Sequence, residues 1–213
     1  RISKPSSTST IGILASATAT IAAMTVYNVY RARQAEREHP PAGQFVTVDG
    51  VRLHYIERGE GPPVVLLHGN VVTADDFNTS GVLDSIAKRH RVIAFDRPGF
   101  GYSDRPHGSA WSARTQAELF RDAFAVLGIN RPIVLGHSWG AAVALALALN
   151  HSDAVRGLVL LSGYYYPTLR ADVLFSAPTA IPILGDLLRF SVSPFIGRAM
   201  LPLLLKANNL KES

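Results

Sequence analysis

The chain has 213 residues, 47% of them hydrophobic, which gives room for one domain with a large core and an appendage but not for two globular domains. Its formal net charge is +5, yet the basic residues are scattered and form no dense stripe, so a nucleic-acid partner is not expected. It has no cysteine, which excludes disulfides and thiolate metal sites and leaves the redox compartment open.

After a tail over residues 1–10, the 20 residues from Ile11 to Tyr30 carry no charge. As a helix they would extend about 30 Å, the thickness of bilayer hydrocarbon. Tyr27 and Tyr30 beside Arg31 and Arg33 look like an interfacial anchor, so residues 11–30 are expected to be a transmembrane helix and the membrane a partner, with a signal peptide cleaved after Ala17-x-Ala19 and a soluble amphipathic helix as the alternatives. Two basic residues before the span, Arg1 and Lys4, against three after it, Arg31, Arg33 and Arg37, lean toward a cytoplasmic domain. Residues 31–43 continue the helix and break into a linker at Pro40 and Pro41. The opening on Arg1 and the apolar, proline-rich end suggest that both termini belong to a longer protein.

From residue 44 the pattern is that of a core. Residues 44–49 and 51–57 alternate around Asp49-Gly50, the signal of a two-residue hairpin turn. Pro63–Leu67 and Val92–Phe95 are short apolar runs separated by a helical stretch ending near His90. A helix is expected from about Ser112 to Leu127, with Phe120, Phe124 and Leu127 on one face. Ile133–Leu135 and Gly157–Leu161 supply two more buried strands, with an alanine-rich helix from Gly140 to Asn150 between them. This alternation predicts a mostly parallel sheet with helices on both faces, entered through an antiparallel hairpin. After Gly163, five prolines from Pro167 to Pro202 predict only short helices.

Gly136-His137-Ser138-Trp139-Gly140 stands between an apolar strand and a helix, the context in which G-x-S-x-G marks a nucleophile elbow. Ser138 is the candidate nucleophile. His68-Gly69-Asn70 follows the strand Val64–Leu67, and the backbone N–H of Asn70 and that of Trp139 are the candidate oxyanion donors. Asp96-Arg97-Pro98-Gly99-Phe100-Gly101-Tyr102-Ser103 is not a dinucleotide fingerprint, because Asp104 stands where the third glycine belongs.

Over residues 44–166, the segments VDGVRLHYIERGEGPPVVLLHGN, VIAFDRPGFGYSDRP and VLGHSWGAAVALALA resemble successive landmarks of the α/β-hydrolase family. The resemblance implies an α/β-hydrolase core over residues 44–163, with the start of a helical cap at residues 164–213. It also implies a glycine-rich structural turn at Asp96–Ser103, a small-molecule substrate, and no cofactor or metal. Phe175, Leu184, Leu187, Leu188, Phe190 and Phe195 would then line an apolar pocket or pack the cap.

Members of that family add an acid and then a late histidine. None of the seven histidines here follows His151, which closes the helix behind the elbow, and Asp172 and Asp186 lie in the cap region. Without a base Ser138 is a poor nucleophile, so the 213-residue piece is expected to be inactive and its parent to be the enzyme. Asn70 and Trp139 also resemble the halide-holding pair of haloalkane dehalogenases, but those use an aspartate nucleophile. Ester, thioester or carbon–carbon hydrolysis fits a serine better, with haloperoxidase or perhydrolase chemistry and a non-catalytic binding protein as the alternatives.

Overall fold

The computed structural model describes residues 7–106, 111–165 and 184–207. The chain divides into two compact units, Pro41–Thr168 and the pair of segments Arg1–Pro40 and Leu169–Ser213.

In the first unit, strands β1 (Gln44–Val48) and β2 (Val51–Arg58) form an antiparallel hairpin. Asp49 and Gly50 at its turn take φ of 49° and 76°, the left-handed pair that a two-residue turn needs. The remaining strands are β3 (Pro63–Leu67), β4 (Arg91–Phe95), β5 (Ile133–His137) and β6 (Gly157–Leu161). The sheet order is β1-β2-β4-β3-β5-β6, antiparallel through β2 and β4 and parallel from β4 to β6. Short helices α2 (Asp75–Thr79) and α3 (Val82–Ala87) follow β3. Helix α4 (Ala113–Val126) follows β4, capped by Ser112, whose hydroxyl accepts the Thr115 N–H. Helix α5 (Trp139–Asn150) follows β5.

The period-2 geometry of a strand explains the two cores. Val65 and Leu67 of β3 and Ile93 and Phe95 of β4 face the layer of α4 and α5, where Phe95 packs against Phe120 and Phe124. Val64, Leu66, Val92 and Ala94 turn to the other face and meet Phe77 of α2 and Leu83 of α3. Strands β3, β4 and β5 are thus buried on both sides, which is why they read as unbroken apolar runs. The α/β-hydrolase architecture expected from the sequence, a mostly parallel sheet covered on both faces, is present.

In the second unit, α1 (Ser7–Glu38) is one 32-residue helix, longer than the span at residues 11–30. The transmembrane expectation is corrected here: among the described residues no helix is long and apolar enough to cross a membrane. Five alanines, three threonines, Ser16 and Asn28 dilute the uncharged run, and Ser16, Thr20 and Thr25 spend their hydroxyls on carbonyls one turn back. Its far end meets protein. Asn28 is buried and its Nδ2 donates to the carbonyls of Phe190 and Ser191, 2.9 and 2.8 Å away, at the end of α6 (Leu184–Phe190). Tyr27 stacks on Phe195 of α7 (Ser193–Ala207). That last helix runs 15 residues with Pro202 inside it, so the prolines do not restrict this region to short helices. A proline removes one backbone bond and strains one turn without forbidding the helix.

Candidate active site

Ser138 joins β5 to α5 with φ 52° and ψ −116°, a conformation that a non-glycine residue holds only when its surroundings enforce it. Two hydrogen bonds do so. Its N–H donates to Leu161 O of β6 at 2.8 Å, and its carbonyl accepts from Ala141 N at 3.1 Å. The flanking glycines admit the close approach: a Cβ on Gly136 would lie 2.4 Å from Gly140 O, and one on Gly140 would lie 2.1 Å from Leu67 O. The elbow is therefore seated directly on the end of β3.

The loop leaving β3 reaches the serine. A Cβ on Gly69 would stand 3.0 Å from Ser138 Cβ, so that glycine is needed for the two to lie side by side. Asn70 and Trp139 flank this contact in sequence and are both exposed, and among the described residues no acceptor takes either backbone N–H. The loop is held from beneath. His68, fully buried, accepts the Arg97 N–H at Nε2 (2.9 Å), so the proton sits on Nδ1, which donates to Gly69 O at 2.7 Å. Burial and the charge of Arg97 press its pKa down to about 4, and the imidazole is neutral at ordinary pH.

Arg97, equally buried, extends its guanidinium back along the same loop. Nε donates to His68 O (2.7 Å), Nη2 to Gly69 O (2.9 Å) and to Asn70 Oδ1 (2.8 Å), and Nη1 to Gln116 Oε1 of α4 (3.2 Å). The group also lies over the Phe100 ring, 4.6 Å from its centroid. Desolvation lowers its pKa to about 10, which still leaves it charged. The neighbouring Asp96 is occupied elsewhere, accepting from Ala74 N (2.7 Å), Tyr102 N (3.0 Å) and His54 Nδ1 (2.8 Å). Burial alone would raise its pKa, but these hydrogen bonds outweigh it and bring it below the ordinary value. The Asp96-to-Ser103 turn is thus built around a carboxylate, and a Cβ on Gly101 would strike Asp96 Oδ2 at 2.0 Å.

Sequence reasoning treated this turn only as a border and missed Asp96, Arg97, His54 and Gln116. The available signal was a charged pair directly after a fully apolar strand, where charges are seldom buried without a purpose. Among the described residues no histidine is hydrogen-bonded to Ser138 Oγ. His151 lies beyond the end of the 12-residue α5, about 18 Å from the serine along the axis. Asp172 and Phe175 fall outside the described residues, and of the Asp186 and Leu184 side chains nothing is described. Leu187, Phe190 and Phe195 are each partly exposed. No group of three or more histidines and carboxylates converges as metal ligands would, again among the described residues.

Residues 62–190 match the family model for the alpha/beta hydrolase fold. Haloalkane dehalogenase 2 of Mycobacterium tuberculosis is 34% identical over 123 residues, covering 58% of this chain and 41% of that one. A 2-hydroxymuconate semialdehyde hydrolase of Pseudomonas putida is 35% identical over 127 residues, 60% of this chain and 45% of its own. Among solved structures, a meta-cleavage product hydrolase from Pseudomonas fluorescens superposes with a TM-score of 0.53 at 31% identity, over 57% of this chain and 45% of that one. The chain spans less than half the length of the curated relatives it matches. With a family match over most of its length and an elbow, loop and sheet of the corresponding form, the chain belongs to the α/β-hydrolase family.

Proposed function

We propose that the full-length protein is a serine hydrolase in which Ser138 attacks the carbonyl carbon of a small, largely apolar ester or related substrate and forms an acyl-enzyme. The observation that carries this reading is the Ser138 backbone, held at φ 52° between a strand and a helix with Gly69 against its side chain. A backbone so held presents the hydroxyl at the head of α5. As the tetrahedral intermediate forms, its oxyanion takes the two unoccupied amides, those of Asn70 and Trp139. The leaving group departs with a proton, and water then opens the acyl-enzyme. An acid and a histidine base acting on Ser138 would come from parts of the protein outside these 213 residues. Their contribution would explain why no described histidine bonds the serine. A serine oxygen also fits carbon–carbon bond hydrolysis.

A fluorophosphonate probe on the full-length protein tests the assignment. Wild type is expected to label and Ser138→Ala not to. Equal labelling of the two would remove Ser138 from the mechanism, and no labelling of wild type would favour a non-catalytic binding protein on the same fold.

A further inference from the structure

We propose that Arg97 is a positioning residue that aims and strengthens the oxyanion-binding amide of Asn70. The inference rests on the serine-hydrolase reading above. Gly69 C=O and Asn70 N–H are the two ends of one planar peptide group, so whatever holds the oxygen fixes the direction of the hydrogen. Two donors hold it, Arg97 Nη2 at 2.9 Å and His68 Nδ1 at 2.7 Å. One of them is a cation, and it draws electron density toward the carbonyl oxygen, which leaves the N–H at the other end a better donor. The same guanidinium grips the carbonyl of His68 and the side chain of Asn70, so three consecutive residues of the loop are tied to one planar fork.

The charge itself is the second argument. Arg97 is 0% exposed, and among the described residues no carboxylate is paired with it. A neutral glutamine or serine would tether a loop at far lower desolvation cost. A fixed positive charge one peptide away becomes favourable when a negative oxygen appears at the Asn70 amide, which happens only in the tetrahedral intermediate. Arg97 therefore acts on the chemical step and hardly on substrate binding.

The test compares Arg97→Lys and Arg97→Gln with wild type in the full-length protein. It measures kcat and KM on a p-nitrophenyl ester, affinity for a boronic acid that forms a tetrahedral adduct on serine, and thermal melting. Loss of a whole oxyanion donor costs ~10²–10³ in kcat, so weakening one should cost roughly 10–100-fold. The expected result for Arg97→Gln is that loss in kcat, a parallel loss in boronate affinity and a KM within about 2-fold, with Arg97→Lys recovering part of both. A folded Arg97→Gln with wild-type kcat and boronate affinity overturns the proposal. Should neither variant fold, the unaltered protein decides by NMR: an Asn70 amide nitrogen downfield of the ordinary asparagine range supports a polarised peptide, and one within that range overturns it. Ser138→Ala is run alongside. If it keeps the esterase activity the serine reading fails, whereas a dead Ser138→Ala with an unaffected Arg97→Gln sinks only the present inference.

Discussion

His68 shows how a motif residue earns its place without touching substrate. The unfolded chain would bind a proton on this imidazole near pH 6.5, whereas the folded protein refuses it down to about 4, because the site is buried and Arg97 is beside it. The folded pKa is the lower one, so the stability linked to His68 is fully present above about pH 6.5 and is lost as pH falls toward 4. His68→Gln, which cannot titrate, is expected to flatten the loss of stability between pH 7 and pH 4.5 in denaturant melts. An unchanged slope would show that His68 is not the group responsible. At this scale the His68-Gly69-Asn70 and Ser138 positions were legible because they form short local patterns. Arg97 was not, since its partners His68, Gly69 and Asn70 lie 27 to 29 residues back along the chain and only the fold brings them together.

Elements were legible where the local signal was undisturbed. The Asp49-Gly50 hairpin and the four short apolar strands appear within a residue or two of their expected positions, because each is bounded by turn residues, and β3, β4 and β5 are buried on both faces as well. Helix α1 was harder, since length and lack of charge resemble a membrane span while its alanine and threonine content leaves it less apolar than a membrane-crossing helix. The junction of β5, α5 and β3 gives a sharp test. A Cβ at Gly140 would meet the backbone oxygen of Leu67 at 2.1 Å, an atom that cannot swing aside, whereas one at Gly157 in β6 meets nothing within 4 Å. Gly140→Ala should therefore destabilise the protein by about 1–3 kcal/mol, and Gly157→Ala by less than about 0.5 kcal/mol. Urea midpoints of the two variants check the contrast, and equal shifts would contradict the seating of the elbow on β3.

For the molecule as a whole, β6 is one of the two edge strands of the sheet among the described residues, with Val159 41% exposed and Leu161 45% exposed beside partly buried Leu158 and Leu160. An apolar strand with a free edge pairs readily with another chain. The 213-residue polypeptide, purified by itself, is expected to self-associate in sedimentation experiments, and Val159→Lys to raise its monomer fraction. A monodisperse monomer with a sharp cooperative melt would contradict this. The family and the layer architecture were legible at this scale because elbow, loop and turn motifs recur in order with strands between them. A partner for the Ser138 hydroxyl was not, because no described histidine or carboxylate bonds it and no local motif of the sequence marks one.

Asn28 has a practical corollary. Residues 1–40 are the stretch that a trimming strategy would remove first in search of better behaviour. Yet the Asn28 amide supplies two hydrogen bonds to the final carbonyls of α6, and Tyr27 covers a face of Phe195. A shortened protein would lose both of those hydrogen bonds and the ring stacking at once.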